Sequence, residues 1–434
     1  METADAMPLA GHKDSSSHTV SWRVVTLASL GGALEYYDFI VFAIFARDIS
    51  TTFFPSTDQF VALIATYSLF AASYLMRPLG GIVIAYFVDA YGRKPAFIWS
   101  LVVMSTSTIA MGLTPSYASL GQIATMLFIL FRLSQSACFG GEFGTAVTYV
   151  VEMAPRRPGT ACGILFCLLG VGIVLATGAN AVIHVALPTQ TALIYGWRIA
   201  FIFGGLLGIA GFYVRGSLEE SPAFADVSPS AGRPSIKEIW TSHLPHLVTA
   251  FAISAPTGAA NGMILAFLPM YLTTICRIPT ATASGLMLLA AIAMAIGCLF
   301  FGWLADRTSW IGLHRLGCFV LLCSAWPVLA MLANGSNPVY PILWLSLSAG
   351  IVNGCVGQLI ADLFPTRFRA MGVTTSYNLS AAIFQGLTPL VATLLLRQFK
   401  SPVAPAIWVA AVAIFAVVAG AGYRRLGGSL SHLR

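Results

Sequence analysis

Charged side chains are scarce in this chain. Asp, Glu, Lys and Arg make up 9% of its 434 residues, whereas a soluble domain carries about 25%, and its mean hydropathy is +0.82. This scarcity excludes a soluble protein with a single membrane anchor. We expect an integral membrane protein along the whole length, with the lipid bilayer as its surroundings. Nucleic acid is not expected as a partner despite the net charge of +7, because the basic residues follow the membrane topology.

Features typical of other protein classes are also missing. The first twenty residues have no apolar core and no cleavage-site pattern, so no secretory signal peptide is expected. None of the eight cysteines belongs to a Cys-x-x-Cys pair, so neither a metal site nor a disulfide framework is predicted. The sequence offers no nucleophile–base pair and no nucleotide-binding loop. We predict that the protein is not an enzyme and needs no cofactor.

Long apolar runs fill most of the sequence. A stretch of about 20 apolar residues is long enough to span a bilayer as one helix. The sequence predicts twelve such helices, at 22–46, 60–87, 95–114, 122–150, 161–186, 197–216, 244–273, 280–304, 314–333, 338–361, 370–396 and 403–423. The predicted fold class is therefore an all-α membrane protein with twelve transmembrane helices.

The distribution of Lys and Arg predicts the orientation. These residues lie mainly in the N-terminal tail, the connections from even- to odd-numbered helices, the central connection and the C-terminus. Because cytoplasmic loops carry the excess of positive charge, both termini are expected in the cytoplasm. The predicted location is the plasma membrane, with a bacterial inner membrane favoured.

The longest polar connection divides the helices into two sets of six. Glu152 begins a charged, proline-containing turn after the fourth helix, and Asp362 begins a similar turn after the tenth. The predicted parts are an N-terminal tail (1–21), a first half (22–216), a central loop (217–242), a second half (243–424) and a C-terminal tail (425–434). Two similar halves around a central cavity are the plan of many secondary transporters.

Two carboxylates lie in the middle of the first predicted helix. Glu35 and Asp38 are three residues apart, so they share one helix face. Burying one ionisable group in hydrocarbon costs about 3 kcal/mol. This face should therefore look into a polar cavity or at cations on other helices, which indicates a transport pathway.

Three more charges lie at similar depth in the predicted helices. At a rise of about 1.5 Å per residue, Glu35, Arg77 and Glu142 fall near one level, and Asp38 and Arg132 lie nearer the outside. Three acids and two arginines leave one excess negative charge, so we expect one acid to hold a proton during part of a transport cycle. Arginine does not release its proton. Asp38 or Glu35 would therefore carry the transported proton, and Arg132 would tune the pKa of that acid. A static ion-pair network that fixes helix packing is the alternative.

Candidate substrate contacts come from both predicted halves. Arg77 either pairs with an acid or holds a substrate carboxylate with its guanidinium fork. The second half has no clear intramembrane charge, but its amides supply directional hydrogen bonds that suit substrate recognition. The candidate substrate-binding residues are Arg77, Tyr37, Gln135, Asn261, Asn353, Asn378 and Gln385. Hydrogen bonding between helices is the alternative role for the amides.

The connection after the second helix resembles the loop motif of the major facilitator superfamily, Gly-x-x-x-Asp-Arg-x-Gly-Arg-Lys. The matching residues are Asp89, Gly92, Arg93 and Lys94. Ala85 and Ala90 replace the first glycine and the first arginine of the motif. Asp306 and Arg307 begin the equivalent stretch after the eighth helix. The resemblance implies the fold of that superfamily, with these residues as a conformational latch between the halves.

Further motifs, in family order, resemble the metabolite:proton symporter family within that superfamily. They are Glu35-Tyr-Tyr-Asp38, Arg77-Pro-Leu-Gly-Gly81, Arg132-Leu-Ser-Gln135, Gly196-Trp-Arg198, Glu220-Ser-Pro-Ala-Phe224 and Phe364-Pro-Thr-Arg367. The family includes 2-oxoglutarate, citrate, shikimate and proline/betaine permeases. The resemblance implies that the acid Asp38 and the arginine Arg132 form the proton-coupling pair. The balance of charges adds Glu35 and Glu142 to the proton-coupling candidates.

The predicted function is import of a small polar metabolite by a proton-coupled symporter that works by alternating access. An organic acid is favoured because Arg77 and Arg132 suit an anion, and a zwitterion such as proline or betaine is the alternative. An efflux antiporter is a second interpretation, although helix 5 lacks the proline of the Gly-Pro motif that such exporters usually carry. A membrane sensor that transports nothing is a third. We expect a monomer driven by the proton gradient, with substrate and protons as its partners.

Overall fold

The computed structural model describes residues 22–56, 58–91, 93–140, 142–215, 236–428 and 430. Inside helices it leaves aside the side chains of residues 24, 28, 31, 35, 39, 59, 82–91, 93–98, 142, 189, 210–215, 236 and 237. The predicted latch residue Gly92 and the side chains of Asp89, Arg93 and Lys94 therefore lie outside the described part. The side chains of Glu35 and Glu142 lie outside it as well.

Helices dominate the described residues, which contain no strand. The long helices are α1 (Trp22–Ile44), α2 (Gln59–Tyr91), α3 (Arg93–Leu113), α4 (Gln122–Met153), α5 (Pro158–Ala186), α6 (Trp197–Arg215), α7 (Leu244–Ile275), α8 (Thr280–Ala305), α9 (Trp310–Ala333), α10 (Val339–Asp362), α11 (Thr366–Phe399) and α12 (Ala406–Leu426). Eleven stretches within the described residues are long and apolar enough to cross a membrane, and α3 contributes the shorter apolar helix Trp99–Leu113. The predicted all-α membrane fold is confirmed.

Two short helices fall where the sequence predicted connections. The connecting helix (Ala46–Phe53) follows α1 after a break at Phe45, whose backbone torsions are φ −95° and ψ 17°. Ile49 and Phe53 are buried, so this helix packs one face against the protein. The helix Ile236–Ser242 lies within the predicted central loop. Both helices are too short and too polar to cross a membrane.

Helices α7 and α11 contain wider, π-helical turns next to prolines. These turns are Gly262–Phe267 and Tyr271–Ile275 in α7 and Ala381–Gly386 in α11. Pro269 lies between the two turns of α7, and Pro389 follows the turn of α11. Proline cannot donate a backbone hydrogen bond and clashes with the preceding turn, so a wider turn beside it accommodates the ring. Such bulges occur frequently at functional sites.

Glycines bring α5, α8 and α10 close together. A Cβ atom at Gly302 of α8 would lie 2.6 Å from the carbonyl oxygen of Gly159 and 2.6 Å from the Cα of Gly163 on α5. A Cβ at Gly350 of α10 would lie 2.8 Å from the Cα of Gly297 on α8. Only glycine permits these backbones to approach so closely. The contact of α5 with α8 joins the first half to the second.

Polar contacts reinforce this joint on the side where α1 begins and α12 ends, here called the terminal side. Asp306 follows α8 and accepts hydrogen bonds from the backbone N–H groups of Gly159 at 2.7 Å and Thr160 at 2.6 Å. It also accepts one from the Thr160 hydroxyl at 2.6 Å. A carboxylate at the N-terminus of a helix is stabilised by the helix dipole. Nearby, Arg369 Nη1 donates to Glu152 Oε1 at 2.7 Å, which links α11 to α4.

Two hydrogen bonds join the halves on the opposite side as well. Asn180 Nδ2 of α5 donates to Ser284 Oγ of α8 at 2.8 Å. The hydroxyl of Tyr67 on α2 donates to the carbonyl oxygen of Ala266 on α7 at 3.1 Å. Within the described residues, the halves are therefore in contact on both sides of the membrane.

Candidate transport site

Asp38 is the buried acid around which the site is organised. Its side chain has no solvent exposure, and it lies on α1 facing α3 and α4. Thr108 Oγ1 of α3 donates to Asp38 Oδ2 at 2.6 Å, and the same hydroxyl lies 3.0 Å from the carbonyl oxygen of Met104. Gln135 Nε2 of α4 donates to Thr108 Oγ1 at 2.6 Å and to the backbone oxygen of Asp38 at 3.3 Å. Three helices thus fix this carboxyl group.

Arg132 joins the same hydrogen-bonded cluster. Its Nη1 donates to Gln135 Oε1 at 2.6 Å, and its Nε donates to Ser73 Oγ on α2 at 3.2 Å. The guanidinium carbon lies 4.3 Å from the centre of the Phe42 ring, a distance at which cation–π attraction operates. Arg132 and Gln135 lie at i and i+3, so they share a face of α4. The structure therefore brings the predicted pair Asp38 and Arg132 together, bridged by Thr108 and Gln135. These four residues are here called the Asp38 cluster.

Arg77 lies among aromatic rings on α2. Only 2% of its surface is exposed, and its guanidinium carbon lies 4.0 Å from the Tyr74 ring centre and 4.4 Å from the Phe139 ring centre. Gly140 of α4 lies directly against the carbonyl group of Arg77, so α2 and α4 are in close backbone contact here. The rings supply a polarisable surface that a cation can rest on.

The candidate amides of α11 contact the first half. Asn378 Nδ2 donates to the carbonyl oxygen of Gly140 at 2.5 Å, and Gln385 Nε2 lies 3.5 Å from the hydroxyl of Tyr36. Gln385 lies in the π-helical turn of α11. Both amides are buried. They therefore lie at the boundary between the halves, and Asn378 binds the same residue of α4, Gly140, that lies against Arg77.

The other two amides pair within the second half. Asn353 Nδ2 on α10 donates to Asn261 Oδ1 on α7 at 2.9 Å. Asn261 is the last residue before the first π-helical turn of α7. The Oδ1 atoms of Asn353 and Asn378 are buried and accept no hydrogen bond from any described residue. These oxygens are acceptors that a substrate donor could use.

Tyr37 lies apart from the residues around Arg77. Its hydroxyl donates to the carbonyl oxygen of Ala200 on α6 at 3.0 Å, and its ring meets the edge of Phe203. The neighbouring Tyr36 instead packs 6.3 Å from Phe139, ring centre to ring centre. Tyr37 therefore contacts α6, whereas Tyr36 lies beside the aromatic rings around Arg77.

The two predicted latch residues that the structure describes behave differently. Asp306 reaches across to α5 of the first half, as the hydrogen bonds at Gly159 and Thr160 show. Arg307, which also follows α8, instead lies over Trp303 of α8, with 4.0 Å between the guanidinium carbon and the ring centre.

Sequence reasoning missed Thr108 and Ser73, which both bind members of the Asp38 cluster. Thr108 ends a run of four hydroxyl residues, 105–108, inside an apolar helix. Such a run of hydroxyl residues in an apolar helix could have indicated a polar contact inside the membrane. Ser73 is a single hydroxyl in a helix where serine commonly bonds its own backbone, as it does here to Leu69.

Comparison with known proteins agrees with this architecture. The family model of the Major Facilitator Superfamily matches residues 28–386. A proline/betaine transporter of Salmonella typhimurium is 31% identical over 416 residues, which cover 92% of this chain and 82% of that protein. A citrate-proton symporter of Klebsiella pneumoniae is 29% identical over 393 residues, covering 90% of this chain and 88% of that protein.

Solved structures show the same fold at low sequence identity. The crystal structure of a D-xylose-proton symporter matches with a TM-score of 0.72 at 15% identity, covering 95% of this chain and 99% of that one. A bacterial homologue of the human lysosomal transporter Spinster, in an inward-facing conformation, matches with a TM-score of 0.59 at 17% identity, covering 94% and 97%. The chain is a multi-pass transporter, not an enzyme, and it belongs to the Major Facilitator Superfamily.

Proposed function

We propose that the protein is a proton-coupled symporter that imports a small carboxylate-bearing metabolite by alternating access. One observation carries the proposal. Asp38, an acid without solvent exposure, is linked through Thr108 and Gln135 to Arg132, a cation without solvent exposure. Such groups are costly in a membrane and mark proton or ion pathways. The relative named as a citrate-proton symporter supports the coupling.

Thr108 can serve Asp38 in both protonation states. While Asp38 is ionised, the hydroxyl of Thr108 donates to the carboxylate. When Asp38 holds a proton, the acid donates to the hydroxyl, which turns its own hydrogen toward the Met104 carbonyl 3.0 Å away. Asp38 Oδ1 has no hydrogen-bond partner among the described residues, so a permanently ionised Asp38 would bury an unsatisfied charged oxygen. Asp38 is thus suited to exchange a proton while Arg132 keeps its charge.

Arg77 is the group we propose for the substrate carboxylate. Its planar fork matches two carboxylate oxygens, and it is buried beside the amides that α11 presents at Gly140 and Tyr36. An organic acid would use the fork and the amide donors. A zwitterion such as proline or betaine would also use the faces of Tyr74 and the neighbouring rings for its cationic nitrogen. The similarity to a citrate and to a proline/betaine transporter supports both classes.

We propose that the terminal side faces the cytoplasm of a bacterial inner membrane. Lys and Arg are concentrated in the connections of that side, and positive residues favour the cytoplasm. Opening the opposite side would admit substrate and proton, and opening the terminal side would release both. One chain contains all the residues of the candidate site, so we propose the monomer as the functional unit. The proton gradient alone would supply the energy.

Uptake by purified protein in proteoliposomes tests this proposal. Radiolabelled citrate, 2-oxoglutarate, proline and glycine betaine are supplied outside vesicles with an acidic exterior. We expect accumulation of one substrate class, and its loss when a protonophore removes the gradient. For the variant Asp38→Asn, the control is Glu238→Gln, because Glu238 is an exposed acid that pairs with Arg367 at the surface. Uptake that is indifferent to the gradient, or accumulation only when the gradient is reversed, would contradict symport.

A further inference from the structure

A small cavity lies between the halves on the side opposite the termini. We call it the vestibule. Its volume is about 40 Å³, which leaves room for water but not for a metabolite. The first half contributes Asp48, Tyr67, Asn180 and His184, and the second half contributes Ser284 and Pro269. The hydrogen bond from Asn180 to Ser284, at 2.8 Å, closes one wall.

Asp48 is an acid that the Asp38 cluster does not include. It lies on the connecting helix, on the same buried side as Ile49 and Phe53, and only 6% of its surface is exposed. Burial raises the pKa of the Asp48 carboxyl to about 7, although the neighbouring Arg47 lowers it. An exposed aspartate titrates near about 3.9. Asp48 therefore changes charge within a range that the outside of a cell can reach.

The other titratable groups of the vestibule are few. Among its described lining residues they are Arg47, Tyr67 and His184. The hydroxyl of Tyr67 donates its hydrogen bond to the carbonyl oxygen of Ala266. His184 Nδ1 lies 2.9 Å from the carbonyl oxygen of Asn180, and its Nε2 is buried with no hydrogen-bond partner among the described residues.

Among the described residues, the elements packed against the connecting helix add no further acid to the lining of the vestibule. They include α1, α2, α4, the short helix Tyr117–Leu120 and the turn Ala192–Gly196. The last two contain the tyrosines Tyr117 and Tyr195. Arg198, just after the turn, donates to the carbonyl oxygens of Gly112 at 3.2 Å and Thr114 at 2.5 Å.

An apolar layer separates Asp48 from Asp38. Asp38 lies six residues before the end of α1 at Ile44, a rise of about 9 Å, and Asp48 lies beyond the break at Phe45. Between them lie Phe42 and Phe45, both almost fully buried. Phe42 packs on Phe128 and on Arg132 of the Asp38 cluster. Asp48 thus belongs to the vestibule, on the far side of this layer from the transport site.

We propose that Asp48 is a second proton-binding residue, whose neutral form lets the vestibule close and whose ionised form favours its opening. A charged carboxylate is stable in water but costly in the closed, buried position. Proton binding at Asp48 therefore favours closure, by linkage between protonation and conformation. This inference rests on the proposed proton symport and extends it: the proton that arrives from outside would help to shut the vestibule behind the substrate.

The sign of the pH effect follows from the two states. The closed vestibule holds Asp48 with a pKa of about 7, and the open one would expose it near about 3.9. Closure is therefore fully favoured below about pH 4, and this preference is lost as the pH rises toward 7. A positive charge on His184 would act in the opposite direction, because it would be buried in the closed cavity.

Hydrogen exchange of the full-length protein in lipid nanodiscs tests this inference. Amide exchange of the connecting helix is measured at pH 5.5 and 7.5 and corrected for the intrinsic exchange rate. We expect an increase in corrected exchange of roughly 10-fold or more at the higher pH. Asp48→Asn, which mimics the neutral acid, should stay protected at both values. Asp48→Glu should restore the pH dependence, with a shifted midpoint.

Two further results would overturn the inference. One is an Asp48→Asn protein that keeps the pH response of the unsubstituted protein. The other is loss of the response in His184→Gln but not in the Asp48 variants. If Asp48→Asn does not fold, the pH midpoint of hydrogen exchange in Asp48→Glu decides alone, because an unchanged midpoint excludes Asp48 as the titrating group.

Gradient-driven uptake in proteoliposomes separates this inference from the proposed function. Uptake without proton coupling refutes symport itself. Coupled uptake with hydrogen exchange that does not respond to pH refutes only the role of Asp48.

Discussion

Thr108 on α3 donates a 2.6 Å hydrogen bond to Asp38 on α1, and this bond orients the buried acid of the site. Gln135 extends the connection to Arg132. The Thr108 hydroxyl can donate to an ionised Asp38 and accept from a protonated one. The account therefore predicts that proton coupling depends on Thr108 as well as on the charged pair.

Thr108→Val removes the hydroxyl and preserves the shape of the side chain. We expect gradient-driven uptake to fall by about 10- to 100-fold, because a hydrogen bond to a charged group contributes about 1.5–3 kcal/mol. The pH at which uptake is half-maximal should also shift. Uptake rates across pH 5–8 in proteoliposomes measure both effects. Thr108→Ser, which retains the hydroxyl, is the control, and equal profiles for Val and Ser would exclude this role.

Arg77→Lys keeps the positive charge and removes the guanidinium fork. We expect the KM for a carboxylate substrate to rise by about 10-fold or more, since a lysine cannot bind two carboxylate oxygens in parallel. The maximal rate should change less than the KM. The exposed Arg397, changed to Lys, provides the control for loss of an arginine. An unchanged KM in Arg77→Lys would return Arg77 to a packing role.

Asp306→Ala removes three hydrogen bonds that join α8 to the N-terminus of α5. We expect the terminal side to open more often, with faster hydrogen exchange at the start of α5 and slower net uptake. Arg307→Ala is the matched control, because Arg307 lies over Trp303 of the adjacent α8 and not against α5. Equal exchange at the start of α5 in the two variants would show that Asp306 does not hold the halves together.

Gly302→Ala tests the close contact of α5 with α8. The added methyl group would lie 2.6 Å from backbone atoms of Gly159 and Gly163, so the helices must separate. We expect a lower melting temperature and reduced transport, because overpacking costs about 1–3 kcal/mol. Gly285→Ala in the same helix meets no atom within 4 Å and should be neutral. Thermal unfolding in detergent compares the two, and equal melting temperatures would contradict the tight contact.

Hydropathy was enough to predict the helices, because each bilayer-spanning segment needs about 20 apolar residues whatever its neighbours are. It could not predict the connecting helix Ala46–Phe53, which forms by packing one face against the protein. The π-helical turn around Gln385 was equally out of reach. Gly258 and Gly262 of α7 lie against the backbone of that turn, so its shape depends on a contact between distant parts of the chain.

The charges of the site could be read from the sequence, because an ionised group in an apolar span is rare and costly. Asp38 and Arg132 were therefore predicted as a pair, and the structure places them in one cluster. The residues that link them, Thr108 and Gln135, could be predicted only in part. Thr108 follows three other hydroxyl residues, and nothing in that run indicates which one faces α1. Threonine in a helix can also bond its own backbone, and Thr108 lies within reach of Met104.

Asp38→Asn gives the most direct test of proton-coupled transport through the Asp38 cluster. The amide cannot release a proton, so the account predicts loss of accumulation against a gradient. Exchange of internal for external substrate should persist and become independent of pH. Both activities are measured with the same proteoliposomes and the same labelled substrate. If Asp38→Asn accumulates substrate to the level of the unsubstituted protein under an imposed pH gradient, Asp38 is not the coupling site and the account is wrong.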